Sequence, residues 1–435
     1  MQQAGGRFRQ VEGRHLIAAL FNTPPLRVAS LATLVFCALC GGLRADPIVV
    51  VLSWDGVRHD YPERAEFPGL SRLQSEGVRA RRLTPVYPSK TFPGHVSIAT
   101  GTYPDVHGIV DNHVFDRERG EFLYADAAAW MMAEPLWIAA ERQGVPAATY
   151  YWVGSASDWR GAGVSYRVAP FDADTSEDEK VSQLLTWLAL PEDQRPRLIM
   201  SYWAGADAAG HRYGPDSDRV VDQLQGQDAQ LQRLLAGIDE LGLWDRLTLL
   251  LVSDHGMTTT GRWLDVEGVL EEAGIGARLY GGALAHIFLD DPDDVDRAMG
   301  ALFAVQPAWA YTREQVPASW RVLHPGRAGD LLMTTEPPYS FTRPRGLGGK
   351  VAPVLARMGW TLGGHGYFPH LPDMGGIFMA LGRGVPAGAS LPAVHQVDVA
   401  PTVARLLAID PPLQSEGRPI AGIGGEPDAP PGSQD

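Results

Sequence analysis

"PIVVVLSWDG" fills residues 47–56, an unbroken apolar run that stops at an aspartate and a glycine. A run this uniform has no polar face to turn to water. It therefore reads as a strand covered on both sides, the signature of a parallel sheet rather than a half-exposed hairpin. The same pattern returns in "AATYYWVGS" (147–155), "RLIMSYWAGAD" (197–207) and "RLTLLLVSDHG" (246–256), and again in "GGIFMALG" (375–382). Helical patterns alternate with these strands at 134–143, 177–189 and 217–241. The last sets Val220, Leu224, Leu231, Leu234, Leu235 and Ile238 close to a 3.6-residue period. Strands alternating with helices predict a doubly wound α/β unit, with a mostly parallel central sheet and helices on both faces.

Residues 260–345 break the alternation. They are rich in Gly and Pro and carry short strand-like pieces, "LAHIFLD" and "GDLLMTT", which predicts a smaller inserted or cap region. "VDVAPTVARLLAI" (397–409) reads as a closing helix. The main unit is expected to span 46–415. A flexible tail at 416–435 is expected to follow, because its end, "GIGGEPDAPPGSQD", is rich in Gly, Pro and acidic residues.

The chain of 435 residues is 45% hydrophobic and 20% charged, ordinary for a globular protein, and its formal charge is −14. That sign excludes a broad nucleic-acid-binding face, so no stable nucleic-acid complex is expected. It does not exclude a local anion site, because bound cations reverse the sign locally. Near the N-terminus, "VASLATLVFCALCGGL" follows Arg7, Arg9, Arg14 and Arg27 and has the look of a secretory h-region, with Gly41, Gly42 and Ala45 as small cleavage-site residues. Residues 1–45 are accordingly expected to be a signal peptide, with an uncleaved anchor as the alternative. Cys37 and Cys40 both lie inside this run, so the mature chain would hold no cysteine and gain its stability from core or metal, not disulfides. Loss of five Arg and one Glu would leave 32 basic and 50 acidic residues, a formal −18. The expected destination is a bacterial periplasm or the exterior, without integral membrane association.

Ligands of open α/β sheets gather beyond the carboxyl ends of the strands. Four features of this chain gather there: Asp55; Asp207 with His211 in "DAAGH"; Asp254 with His255; and His365 in "GGHGY". Taken singly, each has an ordinary reading. An Asp after a strand commonly forms a turn or a cap. A lone His is commonly a hydrogen-bonded core or surface residue, and His59, His95, His107, His113, His286, His324, His370 and His395 are read that way. Recurrence at successive strand ends is what distinguishes the six. Three carboxylates and three imidazoles suit zinc-like ions and suffice for two.

Thr91 precedes a helix frame, "FPGHVSIAT", with Pro in its first turn and Gly101 after its end. Its hydroxyl either caps that helix or acts as a nucleophile at a helix N-terminus, where free N–H groups and the helix dipole favour phosphate.

"PVYPSKTFPGHVSIATGTYPDVHGIVDNHVFD", with "DAAGHRYGPDS" and "SDHGM", closely resembles the nucleotide pyrophosphatase/phosphodiesterase family of the alkaline phosphatase superfamily, as an exported bacterial member. The likeness runs over about residues 48–410 and implies an alkaline-phosphatase-like fold. It implies that Thr91 attacks phosphorus to give a phosphothreonine that water then hydrolyses. It also implies two zinc ions, one held by Asp55, Thr91, Asp254 and His255, the other by Asp207, His211 and His365. Asn112 would bond a non-bridging phosphate oxygen, and Phe92 and Tyr202 would be the aromatic walls of a nucleobase site, ordinary core packing being the alternative for both. The implied substrate is a small phosphodiester or nucleotide, cleaved to nucleoside monophosphates. "WAGA", before Asp207, departs from the Glu and Pro that many relatives carry. Lys90 adjoins the site either as part of it or as a solvated charge. A lysophospholipid phosphodiesterase, a phosphate monoesterase and a phosphonate hydrolase of the same superfamily remain alternatives. A sulfatase would need Cys or Ser in the nucleophile slot. A catalytically dead binding module would have lost Thr91 or a ligand, and none is lost.

Overall fold

The computed structural model describes residues 46–123, 127–342 and 362–425. The expected signal peptide, with Cys37 and Cys40, lies outside the described residues. The central sheet has eight strands: β1 (Ile48–Trp54), β2 (Val78–Ala80), β3 (Ala147–Tyr150), β4 (Tyr166–Val168), β5 (Leu198–Trp203), β6 (Leu247–Val252), β7 (Phe378–Gly382) and β8 (Ala389–Leu391). Their order is β8–β2–β7–β6–β1–β5–β3–β4. β1 lies at the centre, parallel to β5 (Val49 opposite Leu198) and to β6 (Ile48 opposite Leu247). Among the described strands of this sheet, only β7 runs against the rest, antiparallel to both β6 and β2.

All seven residues of β1 are buried, and their alternation divides them between two cores. Val49 and Val51 face one core, with Val96 and Ile98 of α2 (Thr91–Thr100), Leu136 and Ile138 of α3 (Leu136–Arg142) and Val403 of α7 (Val399–Leu407). Ile48, Val50, Leu52 and Trp54 face the other, with Leu70 and Leu73 of α1 (Pro68–Glu76), Leu184 of α4 (Glu177–Leu188) and Leu224, Leu231 and Leu235 of α6 (Asp218–Leu241). The doubly wound reading, with a mostly parallel central sheet and helices on both faces, is therefore correct. The helices begin where the sequence signals them: Ser176 and Glu179 form a capping box on α4, and Ser217 caps α6. The start of α1 has no cap of its own. Buried Asp228 on α6 reaches across and accepts the Gly69 and Leu70 N–H groups at 2.9 and 2.8 Å.

Between β6 and β7 lies a second, antiparallel sheet of four strands, ordered Ala277–Gly281, Leu284–Leu289, Leu331–Thr334, Trp309–Thr312. It has its own apolar core, including Leu270, Ile287, Leu289, Leu302 and Met333. The expected start of a loose tail at 416 needs correction. Glu416 N–H bonds Gly101 O at 2.8 Å, Ile420 N–H bonds Thr402 Oγ1 at 2.8 Å, and Ile420 and Ile423 are buried in the core. A composition of Gly, Pro and acids hides these two isoleucines, which are what hold the segment. Residues 426–435 lie outside the described residues.

Two glycines set how close the strand-end loops come. Gly56 (φ 66°) follows Asp55, and Gly205 (φ 61°) lies in the "WAGA" segment ahead of Asp207. A Cβ on Gly205 would overlap the Asp55 backbone, and one on Gly56 would lie 2.8 Å from the Asp207 Cα. The loops therefore cross in direct contact, with Ala206 N–H bonded to Asp55 O at 2.9 Å. Gly205→Ala is expected to lower stability by about 1–3 kcal/mol or more through left-handed strain and overlap, read from urea unfolding.

Buried imidazoles also make stability depend on pH. His107 Nδ1 accepts the Ile109 N–H at 3.1 Å and its Nε2–H donates to Ser97 Oγ at 2.9 Å, while His286 Nδ1 accepts the Gly329 N–H at 3.3 Å. Burial pushes His107 down to about 3 and His286 down to about 4, from an ordinary 6.5. Above pH 6.5 both are neutral whether folded or not. Below it the unfolded chain takes up protons that the folded chain refuses, so stability is lost between pH about 6.5 and about 4. The slope from these two residues is about 2.7 kcal/mol per pH unit. In EDTA, His286→Leu is expected to reduce the measured slope by about half of that figure, and an unchanged slope would contradict the assignment.

Candidate active site

α2 starts at Thr91, with Lys90 in the N-cap position in extended backbone (φ −134°, ψ 159°) and no side-chain cap from its own chain end. The capping reading of Thr91 is thus corrected: it is the first helical residue. The capping bond comes from another loop, where Asn112 Oδ1 accepts the Phe92 N–H at 2.8 Å. The Thr91 hydroxyl is left for other work, and Oγ1 sits 3.3 Å from His255 Nε2.

Asp55 is one residue beyond β1, Asp254 two beyond β6, and Asp207 opens the short helix α5 (Asp207–Tyr213) four residues beyond β5. Because β6, β1 and β5 are adjacent, three aspartates far apart in sequence become neighbours. His211, one turn along α5, lies 3.3 Å from Asp207 Oδ1 through Nε2, and His365 Nε2 lies 3.6 Å from the same oxygen. His255 Nε2 is 3.1 Å from Asp254 Oδ2 and 3.5 Å from Asp55 Oδ1.

The imidazoles share one arrangement. Nδ1 of His211, His255 and His365 faces the carbonyl oxygens of Gly363, Gly256 and Ser89 at 2.9, 2.8 and 3.0 Å. A carbonyl only accepts, so each Nδ1 carries the proton and each Nε2 presents a bare lone pair. His211 and His365 then point two lone pairs at each other across 3.1 Å, which is repulsive unless a cation or proton lies between them. Asp55 Oδ1, Asp207 Oδ1 and Asp254 Oδ2 are buried and have no hydrogen-bond partner among the described residues. Their sister oxygens are occupied where the structure orients them: Tyr202 O–H donates to Asp55 Oδ2 at 2.8 Å and Gly56 N–H to Asp254 Oδ1 at 3.1 Å.

The electrostatics agree. Burial pushes the Asp254 carboxyl up to about 8, and burial, with Asp254 and Asp207 nearby, raises Asp55 well above the carboxylate range. Burial drives His255 down to about 3 and lowers His365 also. At His211, burial pushes downward but the Asp207 carboxylate prevails and raises it. Bare carboxylate oxygens and bare imidazole nitrogens are the donor set zinc takes. They form two groups, Asp207–His211–His365 and Asp55–Asp207–His255, with ligand atoms within 4.8 Å of one another in each.

The site opens into a cavity of about 640 Å³, lined by Thr91, Phe92, Asn112, Tyr151, Trp152, Phe171 and Tyr202 among others. Phe171 is 56% exposed and packs edge-on against Tyr202 (5.8 Å) and Tyr151 (5.3 Å). Phe92 and Tyr202 both line this cavity. Phe171, Tyr151 and Trp152 were not picked out in the sequence. The last two were signalled by their place at the end of β3, while Phe171 had no signal beyond being aromatic in a polar loop. His95, read as an ordinary core histidine, is buried behind Thr91: its Nδ1–H bonds Thr91 O at 2.8 Å, and Ser53 Oγ bonds its Nε2 at 2.8 Å. Its signal was the four-residue spacing from Thr91. Lys90 is no solvated charge, since its Nζ pairs with Asp111.

A family profile described as type I phosphodiesterase / nucleotide pyrophosphatase matches residues 49–368. The chain belongs to this family. An uncharacterized pyrophosphatase/phosphodiesterase of Schizosaccharomyces pombe is 31% identical over 350 residues, covering 77% of this chain and 71% of that protein. Human ectonucleotide pyrophosphatase/phosphodiesterase family member 1 is 36% identical over 219 residues, covering 48% of this chain and 24% of that protein. The chain therefore spans a small part of this human relative's length. Murine ectonucleotide pyrophosphatase/phosphodiesterase 5 superposes with a TM-score of 0.75 at 25% identity, over 84% of this chain and 96% of that one. Another structure of the murine protein is of an inactive threonine-to-alanine variant in complex with AMP.

Zinc added back to EDTA-stripped protein is expected to raise stability by about 2.7 kcal/mol per site at a hundredfold excess over Kd. Asp207 belongs to both ligand groups. Asp207→Ala and His211→Ala should each lose at least one site's share of this gain, as read by thermal melts and titration calorimetry.

Proposed function

We propose that this chain is an exported two-zinc phosphodiesterase/nucleotide pyrophosphatase that releases nucleoside monophosphates through a phosphothreonine on Thr91. The observation that carries the reading is the placement of Thr91 Oγ1. It sits at a helix N-terminus, 3.3 Å from a bare metal-ligating nitrogen, and on the wall of an aromatic cavity.

Asp55, Thr91, Asp254 and His255 would hold one ion, and Asp207, His211 and His365 the other. Bound zinc supplies a lowered hydroxyl and water pKa and positive charge against the phosphoryl oxygens. The chain's own residues do the rest. Thr91 Oγ forms a bond to phosphorus as the bond to the leaving group breaks, and water later cleaves the Oγ–P bond and restores the hydroxyl. Asn112 Oδ1 is held by Phe92 N–H, which makes its NH2 the donor toward a phosphoryl oxygen. Phe92, Phe171 and Tyr202 offer flat apolar faces for a nucleobase. The murine relative's AMP complex supports a nucleotide as the ligand class.

Export is the reading of the N-terminal apolar run. Among the described residues, no helix is long and apolar enough to cross a membrane.

Zinc-loaded protein is expected to hydrolyse p-nitrophenyl-TMP faster than p-nitrophenyl phosphate or a lysophospholipid. A much faster monoester rate would overturn the diesterase reading. Thr91→Ala should lower the diester rate about 10³-fold or more with zinc still bound, and retained turnover would remove Thr91 from the mechanism.

A further inference from the structure

Lys90 and Asp111 form an ion pair that the chemistry above does not use. Lys90 Nζ lies 2.7 Å from both Asp111 carboxylate oxygens. The Asp111 side chain is 2% exposed and that of Lys90 12%. Lys90 precedes the nucleophile, and Asp111 precedes Asn112. Asp111 Oδ1 also receives the His113 N–H at 3.4 Å, which closes a turn around Asn112. Two residues on from Lys90 and one on from Asp111, Phe92 N–H donates to Asn112 Oδ1 at 2.8 Å. The two stretches of chain are thus tied at two successive points. The stem of Lys90 runs past Gly366, which follows the ligand His365, and fills the space a side chain there would need.

The pair cannot serve as a phosphate-binding cation, because Asp111 neutralises the charge of Lys90. Nor is stability an adequate reason for it, since a buried ion pair contributes little over apolar residues of the same volume. What it does provide is position. Two charge-assisted bonds to one ammonium fix the Asp111 carboxylate, and the turn it closes fixes the Asn112 backbone. We propose that Lys90 and Asp111 are positioning residues that hold the Asn112 carboxamide over Thr91, so that its NH2 meets the phosphoryl oxygen as charge develops there. This rests on the phosphoryl-transfer reading of Thr91 and Asn112.

The test is steady-state kinetics of the zinc-loaded full chain on p-nitrophenyl-TMP, with zinc content measured for each variant. Lys90→Met and Asp111→Asn are expected to lower kcat about tenfold to a hundredfold, the scale of a misplaced transition-state contact. KM should stay within about twofold and zinc content should be unchanged. In an Asn112→Ala background neither change should lower kcat by more than about twofold, because the group they position is gone. Lys90→Arg, which can bond both oxygens, should keep kcat within about threefold of the parent. The proposal is overturned if the losses multiply with that of Asn112→Ala, if kcat is unmoved, or if zinc is lost in step with activity. Should Lys90→Met fail to fold, Asp111→Asn and Lys90→Arg decide. Absence of wild-type turnover would remove the functional reading and this proposal with it, whereas turnover with unaffected variants removes the positioning role alone.

Discussion

Three buried carboxylate oxygens without hydrogen-bond partners among the described residues face three imidazole nitrogens that carry no proton of their own. Left alone, such a cluster is unfavourable: it places like charges together in a poorly solvated place and turns lone pair toward lone pair. Burial shows the strain directly, by driving Asp254 up to about 8 and His255 down to about 3. Bound cations would satisfy both sets of donors at once, where protons would have to be taken up group by group. Much of the surrounding scaffold serves to keep these groups from relaxing apart.

The scaffold does so in layers. β1 is buried on both faces and cannot shift register without exposing one of two cores, so Asp55 has a fixed origin. Its neighbours β5 and β6 bring Asp207 and Asp254 alongside. Gly56 and Gly205 let the loops cross in contact, and backbone carbonyls orient each imidazole. Tyr202 serves two functions, its hydroxyl aiming Asp55 and its ring forming part of the cavity wall.

The placement of Thr91 depends on a division of labour. A helix start needs an acceptor for its leading N–H groups, and a threonine hydroxyl commonly supplies it. Here Asn112 takes over that bond from a separate loop, which leaves the hydroxyl of Thr91 facing the ligand cluster. His95, one turn further along α2, anchors the Thr91 carbonyl from behind.

Much of this was legible in the residues themselves because the information is local. An apolar run declares a buried strand, a Ser with a Glu three residues later declares a helix start, and an Asp or His just past an apolar run declares a strand-end ligand. The strands at Ile48–Trp54 and Leu247–Val252 were read in this way and the helix Asp218–Leu241 from its 3.6-residue period, while six Asp and His residues stood out as candidate ligands. What the tertiary structure alone decided are pairings between distant segments. Asp228 caps α1 from α6, Asn112 caps α2 in place of Thr91, Lys90 pairs with Asp111, Phe171 reaches the cavity, and Ile420 and Ile423 hold the C-terminal strap. Each of these is a hydrogen bond or contact whose partner lies tens to hundreds of residues away. Local pattern fixes which face of an element is apolar and where it ends, but the identity of a distant partner exists only once the chain has folded.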